Sequence, residues 1–167
     1  MKKVGIFYGS STGTTAKIAR KIADIMGMSQ NDVHDVAKTS PSEAGVYEVL
    51  LLGSSTWGNG DVQDDWFDFL TGLDALALKG KKIAVFGCGD VTMEDTFCNA
   101  VGEIHDKVKT TGAELIGEYN TDGYEFNHSK AVKEDGKAVG LLLDEVNHPE
   151  LTGPRLHGWV QVLNDNM

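Results

Sequence analysis

The hydrophobic residues of this chain fall into two alternating patterns. Short, nearly continuous apolar runs such as VGIFYG (4–9) are typical of strands that are buried on both faces of a parallel sheet. By this criterion strands are predicted at 4–9, 31–38, 47–55, 81–90 and 113–119, and strand character resumes at 141–146. The run at 47–55, YEVLLLGSS, is the most hydrophobic of them and is expected to lie at the centre of the sheet.

Between these runs, apolar residues recur at three- and four-residue spacing, which is typical of helices with one buried face. The four stripes are Ile18, Ile22, Ile25 and Met26; Trp66, Phe67, Leu70 and Leu73; Phe97, Val101, Ile104 and Val108; and Leu156, Trp159, Val160 and Leu163. Gly27 is expected to end the first helix. Thr152 is expected to cap the last helix, with Pro154 in its first turn.

The alternation of strands and helices predicts an α/β fold. A parallel sheet would be covered by helices on both sides, with right-handed crossovers. A length of 167 residues suits a single domain, 1–167, with a full hydrophobic core. Residues 120–140 interrupt the rhythm, because they are polar and rich in turn residues, and we interpret them as an excursion from the sheet.

The charge distribution is uneven. The formal net charge is −10, yet residues 1–40 carry six basic and three acidic side chains. Residues 57–106 carry three basic side chains and ten acidic ones, namely Asp61, Asp64, Asp65, Asp68, Asp74, Asp90, Glu94, Asp95, Glu103 and Asp106. An acidic region of this kind argues against nucleic-acid binding and favours a basic partner. The alternative is a face whose charges serve only solubility.

Other features of the sequence indicate the expected location of the protein and the absence of a metal site. The chain starts with a strand pattern rather than a signal peptide, and no stretch is long and apolar enough to span a membrane. Cys88 and Cys98 do not form a CxxC motif, so a structural role is favoured over a redox dithiol. The five histidines show no metal-binding spacing. We therefore expect a cytoplasmic protein without a metal site.

Three glycine-bearing polar loops follow predicted strands: GSSTGTTA (9–16), SSTWGNGD (54–61) and GCGDVTMED (87–95). The carboxyl ends of parallel strands share one edge of a sheet, where doubly wound proteins bind ligands. The first loop contains no charged residue. It matches neither a Walker loop nor the dinucleotide fingerprint, and it lacks a phosphatase cysteine and the paired acids of a receiver domain. Two interpretations remain. The loop is either a cluster of backbone N–H groups and hydroxyls that holds a phosphate, or an ordinary helix cap.

The second loop favours a ligand. Trp57 lies outside both neighbouring apolar patterns, which suits a stacking platform for a planar ring, although a loop tryptophan can also pack on its own domain. Gly58, Asn59 and Gly60 would let the backbone approach a ligand closely.

Taken in order, these loops resemble the flavodoxin family. The motifs are (S/T)xTGxT after the first strand, TWxxGxxxxDW after the third and GxGD on the fourth. Residues 120–131 and 140–147 resemble the insertion of long-chain flavodoxins. The resemblance, which covers essentially the whole chain, implies a three-layer, doubly wound, flavodoxin-like fold. Its five-stranded parallel sheet would have the order 2-1-3-4-5, and an insertion at about 120–140 would split the last strand.

The resemblance also implies a function. Flavodoxins are low-potential one-electron carriers that bind flavin mononucleotide (FMN) tightly but noncovalently and use its semiquinone/hydroquinone couple. They pass electrons between a flavodoxin/ferredoxin reductase and acceptor proteins. By this resemblance the protein would be an electron-transfer monomer with transient partners that present basic faces. It would not be an enzyme and would have no catalytic residue, since the flavin carries the chemistry.

The implied cofactor-binding residues lie in all three loops. The first loop would enclose the phosphate; the second would face the ring, with the Gly58 carbonyl turning toward flavin N5 on reduction; the third would border its pyrimidine end. They are Ser10, Ser11, Thr12, Gly13, Thr14 and Thr15; Ser55, Thr56, Trp57, Gly58, Asn59 and Gly60; and Cys88, Gly89, Asp90, Met93, Phe97 and Cys98.

The third loop departs from the family pattern at one position. Met93 stands where most relatives carry a tyrosine that stacks on the second flavin face. Its polarizable thioether could cover the ring with less area and less rigidity than tyrosine, or the side chain could simply be exposed.

The acidic residues near the loops would lower the potential of the second reduction step. A carboxylate at ~12 Å costs a new negative charge roughly 0.3–1.4 kcal/mol, and about 1.4 kcal/mol corresponds to ~59 mV for one electron. Two other classes stay open. One is an FMN-dependent quinone or NAD(P)H oxidoreductase of flavodoxin-like fold, and the other is a regulatory module that has lost FMN.

Overall fold

The computed structural model describes residues 3–57, 61–74 and 78–167, with residues 57 and 61 described by their backbone alone. The strands are β1 Val4–Gly9, β2 Val33–Asp35, β3 Val49–Trp57, β4 Asp61–Val62, β5 Lys82–Cys88, β6 Glu114–Leu115 and β7 Leu141–Leu143. The helices are α1 Thr14–Met26, α2 Trp66–Asp74, α3 Asn99–Val108 and α4 Pro149–Asn166.

The main sheet is parallel, in the order β2-β1-β3-β5-β6, and the two-residue β4 pairs antiparallel with β3. Both β6 and β7 pair with β5, at successive positions along it: Ile83 is opposite Leu115, and Phe86 is opposite Leu141. They are therefore two pieces of one strand, separated by residues 116–140. This confirms the predicted sheet order and the split last strand.

The sheet is buried on both faces, as its continuous apolar strands predict. On one face, α1 and α4 pack through residues that include Ile18, Ile22 and Trp159. On the other face, α2 and α3 pack through residues that include Trp66 and Ile104. The fold is thus a three-layer α/β arrangement.

Several element boundaries differ from prediction. The predicted strand at 31–38 is reduced to β2, because residues 30–32 form a 3-10 turn in which the Ser29 hydroxyl accepts the Asn31 N–H. Phe97 is buried, but it precedes α3 instead of lying on it. Phe67 was wrongly assigned to the buried face of α2: it is 58% exposed, and Phe69 is buried in its place.

The ends of the helices were partly predicted. Gly27 ends α1 as expected, with φ +70° and an N–H that donates to the Asp24 carbonyl. Thr152 does not cap the last helix. That helix begins at Pro149, whose fixed φ suits a first turn. Thr152 lies within it, and its hydroxyl donates to Glu145 Oε2 at 2.8 Å. Pro154 consequently lies inside the helix, where it removes one backbone hydrogen bond.

No helix in the described part of the chain is both long and apolar enough to cross a membrane.

Candidate functional site

The three polar loops begin at the same level of the sheet. Gly9 at the end of β1 is opposite Ser54, and Ser55 is opposite Cys88 at the end of β5. Because the three strands are adjacent and parallel, the loops that leave them form one continuous rim. The prediction from the sequence that these loops meet at a single edge of the sheet is confirmed.

The first loop turns into α1 through Gly13. This residue has φ +92°, a conformation that side-chain-bearing residues rarely adopt, and it stands at the N-cap with no side chain to cap the helix. Its N–H donates to Ser10 Oγ at 3.0 Å. The hydroxyls of Ser11 and Thr12 are exposed, and Thr12 Oγ1 lies 3.4 Å from Thr14 Oγ1. The helix N-terminus therefore opens into a ring of hydroxyls that can hold an anion.

Thr15 has a buried hydroxyl that lacks a hydrogen-bond partner. Its side chain is fully buried. Among the buried side-chain polar atoms of the described residues, its Oγ1 is the exception that has no hydrogen-bond partner. The hydroxyl approaches the Cys88 thiol closely enough to lower the pKa of that thiol, against the larger effect of burial. A thiol is only a weak hydrogen-bond partner, however, so the hydroxyl is left without a strong one. Buried polar atoms in native proteins are nearly always paired, so an orphan at this position fits a ligand oxygen.

The second loop is a hairpin. Its base is the antiparallel pairing of Thr56 with Val62 and of Trp57 with Asp61. Ser54 Oγ donates to the Ser55 carbonyl at 2.8 Å and accepts the Gln63 N–H at 3.2 Å. The Trp57 side chain and residues 58–60 lie outside the described part of the chain, so the roles predicted for Trp57, Gly58, Asn59 and Gly60 stay predictions.

Thr56 has a contact that the sequence did not suggest. Its Oγ1 accepts the Ala100 N–H at 3.1 Å, in the first turn of α3. The N-cap of that helix is Cys98, which has φ +52° and makes no side-chain cap. Thr56 therefore supplies the missing cap and links the second loop to the helix that follows the third.

The third loop leaves β5 at a buried cysteine and a tightly packed glycine. Burial raises the pKa of the Cys88 thiol to about 12, and Gly89 packs so closely that an added Cβ would lie 2.9 Å from the Cys98 nitrogen. The Phe97 and Cys98 side chains are also buried, so a ligand could meet them only through their backbone. Met93, in contrast, is 48% exposed beside the site, and whether it covers a ligand stays a prediction.

Asp90 is held by its neighbours. Its Oδ1 accepts the Thr92 hydroxyl at 2.5 Å and the Asn147 side-chain amide at 2.8 Å. These bonds, that from Thr92 above all, lower the pKa of the Asp90 carboxyl, so it carries its negative charge at neutral pH.

A buried carboxylate supports the same loop from below. Asp144, at the end of β7, is fully buried, and its Oδ2 accepts the Val91 N–H at 3.0 Å and the Asn147 amide at 2.9 Å. Its Oδ1 accepts the N–H groups of Val146 and Asn147, both at 2.8 Å. Sequence inspection placed Asp144 in a strand and missed this role, because its partner Val91 is 53 residues away.

The excursion at 120–140 packs on the third loop. The N–H groups of Asn127 and His128 donate to the Glu94 carbonyl at 2.7 and 2.9 Å. Phe97 contacts the rings of Tyr124 and Phe126, with centroids 5.4 and 4.9 Å away. The insertion therefore encloses the outer side of this loop.

Arg155 of α4 fixes the base of the excursion. This buried guanidinium donates to the carbonyls of Leu142 and Asn120, at 3.2 and 2.6 Å. It also lies over the rings of Tyr119 and Tyr124, 5.1 and 4.7 Å from their centroids. Arg155 thus acts together with the backbone pairing of Tyr119 and Ala138, which also holds the two ends of the excursion together.

The architecture and its rim define a doubly wound α/β protein with a hydroxyl-lined helix N-terminus, a candidate anion-binding site, at the carboxyl edge of the sheet. A sequence model of flavodoxins matches residues 6–159. The chain is 42% identical over 168 residues to Flavodoxin 1 of Escherichia coli strain K12, covering 100% of this chain and 96% of that protein. It is 43% identical over 170 residues to Flavodoxin 1 of Azotobacter vinelandii, covering 99% and 97%. This protein belongs to the flavodoxin family.

A solved structure shows the same fold. The Fusobacterium nucleatum flavodoxin bound to flavin mononucleotide superimposes with a TM-score of 0.90 and 29% identity, covering 100% of this chain and 99% of that one.

Proposed function

We propose that this protein is a low-potential one-electron carrier that binds FMN noncovalently at the carboxyl edge of its sheet. Membership of the flavodoxin family supports this function, and the similar Fusobacterium nucleatum flavodoxin was solved with bound flavin mononucleotide. The observation that carries the proposal is the orphan Thr15 hydroxyl in an uncharged, hydroxyl-lined loop at a helix N-terminus.

The first loop fits the FMN phosphate. The first-turn N–H groups of α1 and the hydroxyls of Ser10, Ser11, Thr12, Thr14 and Thr15 would surround it. A transferred phosphoryl group calls for a cation to stabilise its charge, whereas a phosphate held only as an anchor does not. The absence of lysine and arginine from residues 9–16 therefore suits a permanently bound cofactor.

Bound FMN supplies a ring that takes up and releases electrons one at a time. The chain places Thr56, Asp90 and Met93 on the two loops that would flank this ring. In or beside these loops lie Asp64, Glu94 and Asp95, all exposed, with Asp65 and Asp90 half-buried. These carboxylates oppose the addition of negative charge, which lowers the potential at which a second electron enters.

The same carboxylates suit the recognition of partners. A negative rim attracts the basic faces of a reductase and of acceptor proteins and speeds transient encounters, with rates that fall as salt increases. We propose that the chain acts as a single-domain monomer in the cytoplasm, with no nucleic-acid or membrane partner.

The first test is the absorption spectrum of the purified protein. We expect a yellow flavoprotein whose flavin is released by denaturation and is identified as FMN. The protein should not oxidise NADPH until a flavodoxin/ferredoxin reductase is added. A colourless protein that fails to take up FMN, or NADPH oxidation without added reductase, would refute the proposed function.

Thr15→Val tests the phosphate anchor. Removing an unpaired buried hydroxyl should stabilise the FMN-free protein by about 1 kcal/mol, while FMN binding weakens about tenfold because one hydrogen bond to a charged group is lost. The matched control is Thr152→Val, at a buried threonine whose hydroxyl is paired with Glu145. This control should destabilise the FMN-free protein and leave FMN affinity unchanged, as measured by urea unfolding and flavin fluorescence titration.

A further inference from the structure

Gln63 is a buried side chain between two of the site loops, and no motif of the sequence singles it out. It directly follows β4 and is 4% exposed. Its Nε2 donates to Ser11 Oγ at 3.2 Å and to Asp65 Oδ2 at 2.7 Å, and its Oε1 accepts the Asp65 N–H at 3.0 Å. Both ends of the amide are engaged, and one bond reaches the first loop, 52 residues away.

The surroundings of Gln63 are fitted to its side chain. A Cβ added at Gly9 would lie 2.4 Å from Gln63 Oε1 and 2.7 Å from Trp66 Cδ1, so the end of β1 leaves room for both. Trp66 is held in turn by its indole N–H, which donates to the Gly53 carbonyl at 2.8 Å. The Gln63 backbone is held by Ser54 Oγ. Few other conformations are therefore open to the amide.

The direction of the bond to Ser11 has a chemical consequence. An amide NH₂ can only donate, so Ser11 Oγ is the acceptor. A hydroxyl has one proton, and this proton must then point away from Gln63. Because Ser11 is exposed at the mouth of the loop, its proton is available to an anion there.

We propose that Gln63 is a positioning residue for the cofactor. It turns the Ser11 hydroxyl toward the phosphate, and it ties the phosphate loop to the base of the hairpin that carries Trp57. The inference rests on the proposed function, since it assumes that the first loop holds the phosphate of FMN.

Gln63→Glu tests the orientation of the hydroxyl. The carboxylate would accept the Ser11 proton instead of donating to the oxygen, and it adds a negative charge near the phosphate. It would also repel Asp65 Oδ2, to which Nε2 donates at 2.7 Å in the wild-type protein. FMN affinity should fall about 10- to 100-fold, whereas riboflavin, which lacks the phosphate, should lose less than about threefold by the same reasoning. The matched control is Gln30→Glu, because exposed Gln30 also donates to an aspartate, Asp24, at 2.9 Å. It should change neither affinity.

Gln63→Met tests the link between the loops. Methionine has a similar length but neither donates nor accepts strongly. In the wild-type protein, saturating inorganic phosphate should raise riboflavin affinity, because binding in one loop orders the other through Gln63. In Gln63→Met, phosphate should raise riboflavin affinity by less than about twofold, because the two binding loops are no longer linked. Thermal unfolding of each FMN-free variant shows that it is folded.

The outcomes separate this inference from the proposed function. Equal losses of FMN and riboflavin affinity in Gln63→Glu, unchanged FMN affinity, or full phosphate coupling in Gln63→Met would each overturn the role of Gln63. A wild-type protein that binds no FMN would refute the proposed function itself.

Discussion

The buried carboxylate of Asp144 offers a quantitative test of how the third loop is held. In Asp144→Asn, the side-chain oxygen can still accept the N–H groups of Val146 and Asn147. The new NH₂ group, however, replaces the oxygen that accepts the Val91 N–H at 3.0 Å and the Asn147 amide at 2.9 Å. The NH₂ group cannot accept from these two donors, so both bonds are lost. Turning the amide by 180° would only move the loss to the N–H groups of Val146 and Asn147, because an amide has a single acceptor oxygen.

The expected cost follows from these contacts. A buried donor left without an acceptor costs about 1–3 kcal/mol. The two donors affected here make part-buried bonds, so the lower half of that range applies to each. Part of this loss of stability is offset, because burying a neutral amide costs less free energy than burying a carboxylate. We expect the free energy of unfolding to fall by about 2 kcal/mol, a large part of the ~5–15 kcal/mol that stabilises a typical domain.

Urea unfolding of the FMN-free protein measures this loss, and amide hydrogen exchange should show faster exchange at Val91. The control is Asp165→Asn, an exposed aspartate of α4 that accepts one bond from Gln161, where less than about 0.5 kcal/mol is expected. A change of the same small size in Asp144→Asn, with protection at Val91 retained, would show that the loop does not depend on this carboxylate.

Two further predictions concern the same rim. Met93→Tyr should tighten FMN binding and shift both one-electron midpoint potentials, because a rigid aromatic ring covers more of the flavin than a thioether; unchanged affinity and potentials, measured by fluorescence titration and spectroelectrochemistry, would show that Met93 lies off the ring. Burial raises the pKa of the Cys88 thiol from 9.0 to about 12, so between these values the unfolded chain loses a proton that the folded protein keeps. Stability should therefore fall as pH rises from 9 to 12, by at most about 1.4 kcal/mol per unit for this group. Cys88→Ala should make that fall shallower in urea unfolding and leave the pH dependence below 9 unchanged, whereas an identical slope would contradict a buried, protonated thiol.

Much of the fold was accessible from local patterns. The apolar runs and helical stripes predicted the alternation of strands and helices, and the polar loops were assigned correctly to one edge of the sheet. This was possible because buried strands need continuous apolar residues, and parallel strands must all end at the same edge. Boundaries were less accessible: Thr152 is a good capping residue by type, but Pro149 starts the helix earlier.

The internal connections of the site depended on the tertiary structure. Gln63 meets Ser11 across 52 residues, Asp144 meets Val91 across 53, and Thr56 caps a helix 44 residues further on. Glutamine, aspartate and threonine in polar segments are ordinary residues, and nothing in their local sequence says which distant atom they contact. The placement of the three polar loops at one edge of the sheet could thus be predicted from the order of residues alone. The side chains that hold those loops could not, because their partners become neighbours only when the strands are assembled side by side.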